Sequence, residues 1–160
     1  PENNIKMIID GYKLSNSSKS LIIVGDFVSD DYAVLIQKEK NEKIRFLGGI
    51  YNPEELAVLR YSAFAYIHGH SVGGTNPSLL EALGSSNIAI CHDNPFNREV
   101  TNNKQLYFSQ ASDLQKRLED LEQFNEAAIL QLKADAKERI ENYYTWDNIA
   151  NKYAKLLSAL

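Results

Sequence analysis

The sequence of 160 residues contains a single cysteine, Cys91, and no long apolar run. One cysteine excludes an intramolecular disulfide and leaves too few thiols for a zinc site built from cysteines. No apolar run reaches the roughly 20 residues that a membrane-spanning helix needs, and no secretory signal is recognisable. We therefore expect Cys91 to be a buried thiol in a protein of a reducing compartment, the cytoplasm.

Basic residues are fewer than acidic ones: the chain has 17 Lys and Arg residues and 21 Asp and Glu residues, which gives a net charge of −4. Nucleic acids and anionic membranes bind to basic patches, so we expect no nucleic-acid partner. A phosphate ligand is compatible with this charge, because backbone N–H groups at the start of a helix can hold it. The length suits one domain, expected to span residues 1–160.

Strand-like and helix-like segments alternate along the chain. Leu21–Val24 is a continuous apolar run that ends at Gly25, which is typical of a strand buried on both faces of a parallel sheet. Strands are also predicted at residues 44–47, 63–67, 88–91 and 106–108, and helices at 5–12, 30–40, 52–61, 77–84, 112–121, 126–143 and from 145 onward. This alternation predicts an α/β fold, a doubly wound parallel sheet of Rossmann-like type, with a C-terminal helical tail over residues 124–160.

Several helix starts carry a capping signal. Asn52, followed by Pro53, predicts the start of one helix, and Thr145 predicts the start of the last. Ser29 is a possible cap of the helix at 30–40. Ser112, with Gln115 three residues later, has the pattern of a capping box.

Ligands of such sheets bind beyond the carboxyl ends of the strands, which selects residues 25–26, 48–50, 68–76 and 92–103 as the rim of a site. The segment from His70 to Leu83 is the strongest candidate, since a glycine-rich loop there leads into a helix that begins at Pro77. Glycines permit a close approach of ligand to backbone, and a helix start attracts phosphate. The alternative is a connecting loop whose glycines serve only its turns.

Glu81 lies just over one turn into that helix, among apolar neighbours. A carboxylate in this position is suited to accept hydrogen bonds from neutral hydroxyl groups, such as a ribose diol. The alternative is a solvated surface glutamate.

The segment Pro77–Gly84 is similar to the second half of the donor-site motif of retaining GT-B glycosyltransferases of family four, E-G-F-G-x-P-x-x-E-A. His68–Pro77 resembles the branch that includes bacterial rhamnosyltransferases of polysaccharide assembly. The similarity covers nearly the whole chain, since residues 21–26, 46–51 and 144–147 with Tyr153 also resemble segments of the family.

The resemblance implies a function for each part of this segment. Glu81 would hold the ribose, the base would lie near Leu47 and Ile50, and Gly73 stands where the family has its first glutamate. His70 could replace that glutamate's contact with the sugar, with an exposed loop histidine as the alternative. The implied site comprises Glu81 and His70 as catalytic candidates and, for the nucleotide sugar, Leu47, Gly48, Ile50, Gly73, Gly74, Thr75, Asn76, Ser78, Leu79, Leu80 and Glu81.

In the family, an Arg and a Lys that bind the diphosphate lie before and at the first helix, where this chain has Glu2–Asn4. We therefore expect a fragment of a two-domain enzyme, inactive alone, whose N-terminal acceptor-binding domain lies outside this sequence. The whole enzyme would transfer a hexose with retention in bacterial surface polysaccharide synthesis, to a lipid-linked acceptor at the inner membrane face, without a further cofactor.

Two other functions remain open: a non-catalytic nucleotide-binding module and a sugar-nucleotide epimerase of GT-B fold. A metal site at His68, His70 and His92 is disfavoured, because no adjacent carboxylate completes a set of ligands, and none is predicted. Arg98 lies at the rim and is a further candidate for contact with phosphate. The simpler interpretation is that Arg98 is an exposed loop arginine without a ligand.

Overall fold

The computed structural model describes residues 2–26 and 31–159, in which short parallel strands alternate with helices. The strands are β1 (Leu21–Ile23), β2 (Ile44–Phe46), β3 (Tyr66–His68), β4 (Ala89–His92) and β5 (Leu106–Phe108). The helices are α1 (Ile5–Leu14), α2 (Asp31–Gln37), α3 (Pro53–Ser62), α4 (Pro77–Gly84), α5 (Pro95–Val100), α6 (Ala111–Gln123), α7 (Glu126–Tyr143) and α8 (Trp146–Leu157). The predicted α/β class with parallel strands and C-terminal helices is confirmed.

The strands form two parallel ladders. β1 pairs with β2, with Leu21 opposite Ile44, and β3, β4 and β5 pair in that order. Among residues 2–26 and 31–159, no ladder joins β1 to β3. The single sheet expected from the sequence is thus divided into two half-sheets, because a groove separates the facing edges of β1 and β3.

Strand β4 shows how the helices are distributed over the two faces. Ile88 and Ile90 are fully buried and belong to a cluster with residues of α1 and α6. Ala89 and Cys91, which alternate with them, pack with residues of α4 and α7. Burial raises the pKa of the Cys91 thiol, so this cysteine is the buried structural residue that the sequence predicts.

The capping predictions have mixed outcomes. Asn52 caps α3 by accepting hydrogen bonds from two backbone N–H groups, and Thr145 caps α8, both as predicted. The capping box at Ser112 is wrong, because α6 begins earlier: Gln110 is its N-cap, and the Asp113 carboxylate accepts the Gln110 N–H. Ser29 and the predicted first residue of α2 lie outside the described residues.

Some boundaries also differ from the expectation. β3 begins at Tyr66 rather than at residue 63, because Ala63 is the C-cap of α3. The loop predicted over 92–103 contains α5, which Asn94 caps by accepting the Asn97 N–H. None of the described helices has both the length and the apolar content needed to cross a membrane.

Gly11 lies where α1 packs closely against α6. A Cβ at Gly11 would lie 2.7 Å from the Ala111 carbonyl oxygen and 2.9 Å from the Leu114 Cβ, neither of which can rotate away. We expect Gly11→Ala to lower the free energy of unfolding by about 1–3 kcal/mol, measured by urea denaturation.

Gly84→Ala is the matched control, because its Cβ would meet only the Ile140 side chain, at 3.8 Å. It should leave stability unchanged or raise it by up to about 1 kcal/mol, since alanine restricts the unfolded chain. Equal stabilities of the two variants would contradict the close helix contact at Gly11.

Candidate functional site

The loops that follow β1 and β2 meet at the carboxyl edge of their half-sheet. The Gly25 N–H donates to the Gly48 carbonyl at 3.0 Å, and the Tyr51 hydroxyl donates to the Asp26 carboxylate. Leu47 continues from β2 into this loop and is 42% exposed. The residues expected to flank a nucleobase are therefore accessible at the edge where ligands of such sheets bind.

The loop that follows β3 presents backbone donors. Gly73 has a φ of +88°, and residues 72–75 are exposed. The N–H groups of Gly73, Gly74 and Thr75 have no hydrogen-bond acceptor within the described part of the chain. Consecutive N–H groups of this kind, directly before the positive end of a helix, can attract an anion.

The first turn of α4 is already hydrogen-bonded. The Asn76 side-chain oxygen accepts hydrogen bonds from the Ser78 N–H at 3.0 Å and the Ser78 hydroxyl at 2.7 Å. The Asn76 backbone carbonyl accepts the N–H groups of Leu79 and Leu80. The side chain of Leu79 is fully buried, so only its backbone can face a ligand. The free donors lie just upstream, at Gly73–Thr75.

His70 is held by three asparagines and faces Gly73. Its Nδ1–H donates to the Asn3 side-chain oxygen at 2.9 Å, and its carbonyl accepts hydrogen bonds from Asn94 and Asn97 at 3.1 and 3.0 Å. Its Nε2 would lie 3.8 Å from a Cβ at Gly73. The structure thus brings His70 next to Gly73, the position that the resemblance aligns with a glutamate. Sequence reasoning missed the contacts of these asparagines with His70.

Glu81 is paired with a residue that sequence reasoning missed. Its Oε2 lies 2.6 Å from the Arg60 guanidinium on α3. The Arg60 side chain is 12% exposed, whereas that of Glu81 is 55% exposed. Arg60 therefore fixes the orientation of Glu81, and much of the carboxylate remains accessible to a ligand.

Part of the expected site lines one groove between the two half-sheets, of about 1020 Å³. Ile50, His70 and Ser78 line it together with Asp26, whereas Glu81 lies outside it. The remaining expected residues, Leu47, Gly48, Gly73, Gly74, Thr75, Asn76, Leu79 and Leu80, also lie outside its lining.

The three histidines do not form a metal site, and Arg98 is paired with a carboxylate. The ring centroids of His68 and His70 are 6.1 Å apart, and His92 packs against Phe108. Among the described residues, no three side chains of His, Cys, Asp or Glu gather as metal ligands. Arg98 donates to the Asp93 carboxylate at 2.5 and 2.7 Å, and this holds the pKa of Asp93 below its usual value.

Solved structures with a similar fold are glycosyltransferases of the GT-B type. HepE of Anabaena, in complex with UDP, matches 100% of this chain with a TM-score of 0.88 and 14% identity, over 46% of its own length. Sucrose-phosphate synthase from Thermosynechococcus elongatus matches 99% at a TM-score of 0.80 and 16% identity, over 43% of its length. The catalytic domain of cholesterol-alpha-glucosyltransferase from Helicobacter pylori matches 90% of this chain, with a TM-score of 0.72 and 20% identity, over 92% of its own length.

These identities establish the fold alone, which is the Rossmann-like C-terminal half of GT-B proteins. The chain spans less than half the length of HepE and of sucrose-phosphate synthase. No protein-family model and no curated protein sequence matches the chain.

His68 should make the stability of the protein sensitive to acid. It is 3% exposed, and its Nε2 has no hydrogen-bond partner among the described residues. Burial, with a smaller contribution from the nearby His70, lowers the pKa of His68 from 6.5 to about 4. Between these pH values the unfolded chain binds the proton more tightly, so the free energy of unfolding should fall by up to about 3 kcal/mol as the pH drops.

Urea denaturation at a series of pH values between 7 and 4 measures this loss. His68→Gln, which cannot titrate, should lose less stability over the same range than the wild type. His70→Gln should lose nearly as much stability as the wild type, because His70 makes only the smaller contribution to the lowered pKa of His68. Parallel pH profiles of the wild type and His68→Gln would show that His68 contributes nothing to the acid sensitivity.

Proposed function

We propose that this chain binds a nucleoside-diphosphate sugar as the donor-binding part of a glycosyltransferase. The observation that carries the proposal is the run of unbonded N–H groups at Gly73–Thr75 directly before α4. A diphosphate needs several donors at a positive helix end, and this loop offers both. HepE, which shares the fold, has been solved with UDP and with UDP-glucose, and this supports the choice of ligand.

The ligand extends from this loop in two directions. Glu81 is the fifth residue of α4 and lies about 6 Å along the helix axis from its start, within reach of a ribose whose diphosphate sits at Gly73–Thr75. Leu47 and Ile50, with Gly48 between them, flank the base from the other half-sheet. Asn76 and the turn from Ser78 to Leu80 contribute to the phosphate site only if the ligand shares the hydrogen bonds that Asn76 now makes.

The sugar then lies near His70 and Gly73. His70 donates its Nδ1 proton to Asn3, which leaves Nε2 as an acceptor for a sugar hydroxyl when the ring is neutral. Because Gly73 has no side chain, space is left beside this nitrogen. We assign to His70 the contact that the first glutamate makes in the family.

The whole enzyme, in this proposal, is a retaining family-four transferase of the rhamnosyltransferase branch, with an acceptor-binding domain N-terminal to this one. It transfers a hexose to a lipid-linked acceptor in surface polysaccharide synthesis at the cytoplasmic face of the membrane, with no cofactor besides the donor. Positioning of the donor and stabilisation of the departing diphosphate by N–H groups supply the catalysis. Residues 1–160 alone bind the donor without turnover.

A non-catalytic nucleotide-binding module is the second candidate. It is favoured by Gly73, which stands where the family's motif has a carboxylate. The two candidates differ in one measurement, since only the transferase converts donor and acceptor when the full-length protein is assayed.

Titration of the chain with UDP, dTDP, GDP and ADP, each with and without an attached sugar, tests the ligand class. We expect one nucleoside diphosphate to raise Tm, because a ligand at 100 times its Kd stabilises the native state by about 2.7 kcal/mol. Differential scanning fluorimetry measures the shift and calorimetry the affinity. If millimolar concentrations of all four leave Tm unchanged, the donor-site assignment is wrong.

Glu81→Gln tests the ribose contact. Wild type should bind the ribonucleotide more tightly than the 2′-deoxynucleotide of the same base, because the carboxylate accepts a hydrogen bond from each hydroxyl. Losing one charge-assisted bond weakens binding about tenfold or more, so the preference should fall towards one in Glu81→Gln.

This ratio of affinities is insensitive to a general loss of stability when Arg60 loses its partner, since such a loss affects both nucleotides equally. Glu55→Gln, an exposed substitution on α3, is the control and should keep the wild-type ratio. An unchanged ratio in Glu81→Gln would remove Glu81 from the ribose site.

A further inference from the structure

An acidic side chain lies beside the residues assigned to the nucleobase. Asp26 follows β1, and its loop is joined to the loop after β2 by the hydrogen bond from the Gly25 N–H to the Gly48 carbonyl. Asp26, Ile50 and Tyr51 all line the groove. The carboxylate therefore belongs to the half-sheet on which the proposed donor site places the base.

Contacts on two sides hold the Asp26 side chain in place. The Tyr51 hydroxyl donates a hydrogen bond to its Oδ2, and its Oδ1 lies against Gly49. A Cβ at Gly49 would overlap this oxygen and would lie 2.9 Å from the Cε2 of Tyr51. The absence of a side chain at position 49 is what allows the carboxylate and the aromatic ring to occupy this place together.

No cation neutralises this carboxylate within residues 2–26 and 31–159. The ion pairs formed there do not include Asp26. Its Oδ1 accepts no hydrogen bond from that part of the chain. A carboxylate repels a diphosphate, so Asp26 suits the end of the ligand away from Gly73–Thr75. An ionised carboxylate only accepts hydrogen bonds, and it therefore requires neutral N–H or O–H donors.

The bases of nucleotide sugars offer different partners to a carboxylate. Guanine presents two adjacent donors, N1–H and the 2-amino group, which match the two oxygens of one carboxylate. Uracil and thymine present a single N3–H between two carbonyl oxygens, which the second carboxylate oxygen would repel. Adenine presents one amino group beside a ring nitrogen that is itself an acceptor. A bidentate contact with a carboxylate therefore selects guanine.

Tyr51 supplies a flat surface next to this carboxylate. It is 80% exposed, although its hydroxyl is engaged by Asp26. A base can stack on an exposed aromatic ring, and such stacking discriminates little among bases because each of them has a π-face. The ring of Tyr51 thus suits a contact that adds affinity for any nucleotide, whereas the carboxylate of Asp26 distinguishes one base from another.

We propose that Asp26 determines the specificity for the nucleobase and that the donor is a GDP sugar. The two carboxylate oxygens accept the N1–H and the 2-amino group of guanine, and Oδ2 also keeps the hydrogen bond from Tyr51, since each oxygen has two lone pairs. The base stacks on the Tyr51 ring. This inference rests on the proposed function, because it assigns the base of the same donor site.

Comparison of GDP with inosine diphosphate, by calorimetry on the chain, tests the assignment. Inosine diphosphate lacks only the 2-amino group of GDP, so it gives the carboxylate one hydrogen bond instead of two. We expect GDP to bind about tenfold more tightly or better, because a charge-assisted bond is lost. UDP, dTDP and ADP should bind more weakly than GDP. Equal affinities for GDP and inosine diphosphate, or tighter binding of any of the other three, overturn the proposal.

Asp26→Asn changes the hydrogen-bonding pattern without changing the size of the side chain. Asparagine offers one acceptor beside one donor, which fits N1–H beside O6, and guanine and hypoxanthine share these atoms. The preference for GDP over inosine diphosphate should therefore fall to about one. If Asp26→Asn weakens both ligands equally and keeps the preference, Asp26 contacts another part of the ligand or is only structural, and the proposal is overturned.

Gly49→Ala displaces the carboxylate without altering any functional group. The three atoms nearest to the new Cβ belong to the side chains of Asp26 and Tyr51, which can rotate, so the protein should fold while this pair shifts. The preference for GDP over inosine diphosphate should fall towards one. Gly84→Ala is the control and should keep the wild-type preference, because its Cβ would meet only Ile140. An unchanged preference in Gly49→Ala overturns the proposal.

The same titrations separate a failure of this proposal from a failure of the donor site. If another nucleoside diphosphate binds and GDP is not preferred, the donor site stands and the assignment of Asp26 is wrong. If none of the nucleotides binds at millimolar concentration, both are wrong.

Discussion

The pairing of β4 on both of its sides is the interaction on which the rest of the structure depends. Ile90 lies opposite Ile67 of β3 and Leu106 of β5, and its side chain is fully buried. A strand without a solvent-facing side has to satisfy its backbone through its neighbours, so the three strands are held in parallel register. Their carboxyl ends consequently lie at one edge, where Asn94 and the carbonyl of His70 meet.

The helix that carries Glu81 depends on the same strand. Ala89 and Cys91 of β4 pack against Leu79 and Leu83, the buried residues of α4, and this fixes the helix over the half-sheet. The loop of exposed N–H groups is therefore anchored at both ends, at β3 and at α4. A phosphate site made of backbone donors needs such anchoring, because the donors have to be oriented before the ligand arrives.

Much of the fold follows from local patterns, which is why it could be predicted. The apolar runs give the strands, and an asparagine before a proline marks the starts of α3 and α4. The same pair at Asn94–Pro95 marks α5, but that six-residue helix lies in a polar segment with no clear apolar face, and it was predicted as a loop. The division into two half-sheets has no local signal, because it concerns strands distant in sequence.

The candidate site could be predicted in part from a resemblance to a family rather than from local patterns. The positions of His70, Gly73 and Glu81 follow from a resemblance of short segments, but the partner of Glu81 does not, because Arg60 reaches it from another helix. Ser78, Leu79 and Leu80 were expected to contact the nucleotide sugar, and Asn76 competes for their N–H groups. Asn76 was recognisable as a helix cap, and a capping asparagine takes up the N–H groups that an anion would need.

The split into half-sheets bears directly on how a nucleotide would be held. In the proposed donor site, the base contacts at Leu47 and Ile50 belong to one half-sheet, whereas the phosphate loop and Glu81 belong to the other. On the face of α1 and α6 the two halves share one apolar cluster, in which Ile44 and Phe108 both take part. On the opposite face they are bridged by α3, which buries no residue.

A nucleotide that spans both halves, as in the proposed donor site, requires a fixed distance between them. Besides the shared cluster, the ion pair between Arg60 and Glu81 ties α3 to α4 of the second half. Affinity for a whole nucleotide would then depend on how the two halves are held together, whereas affinity for the phosphate part alone would not.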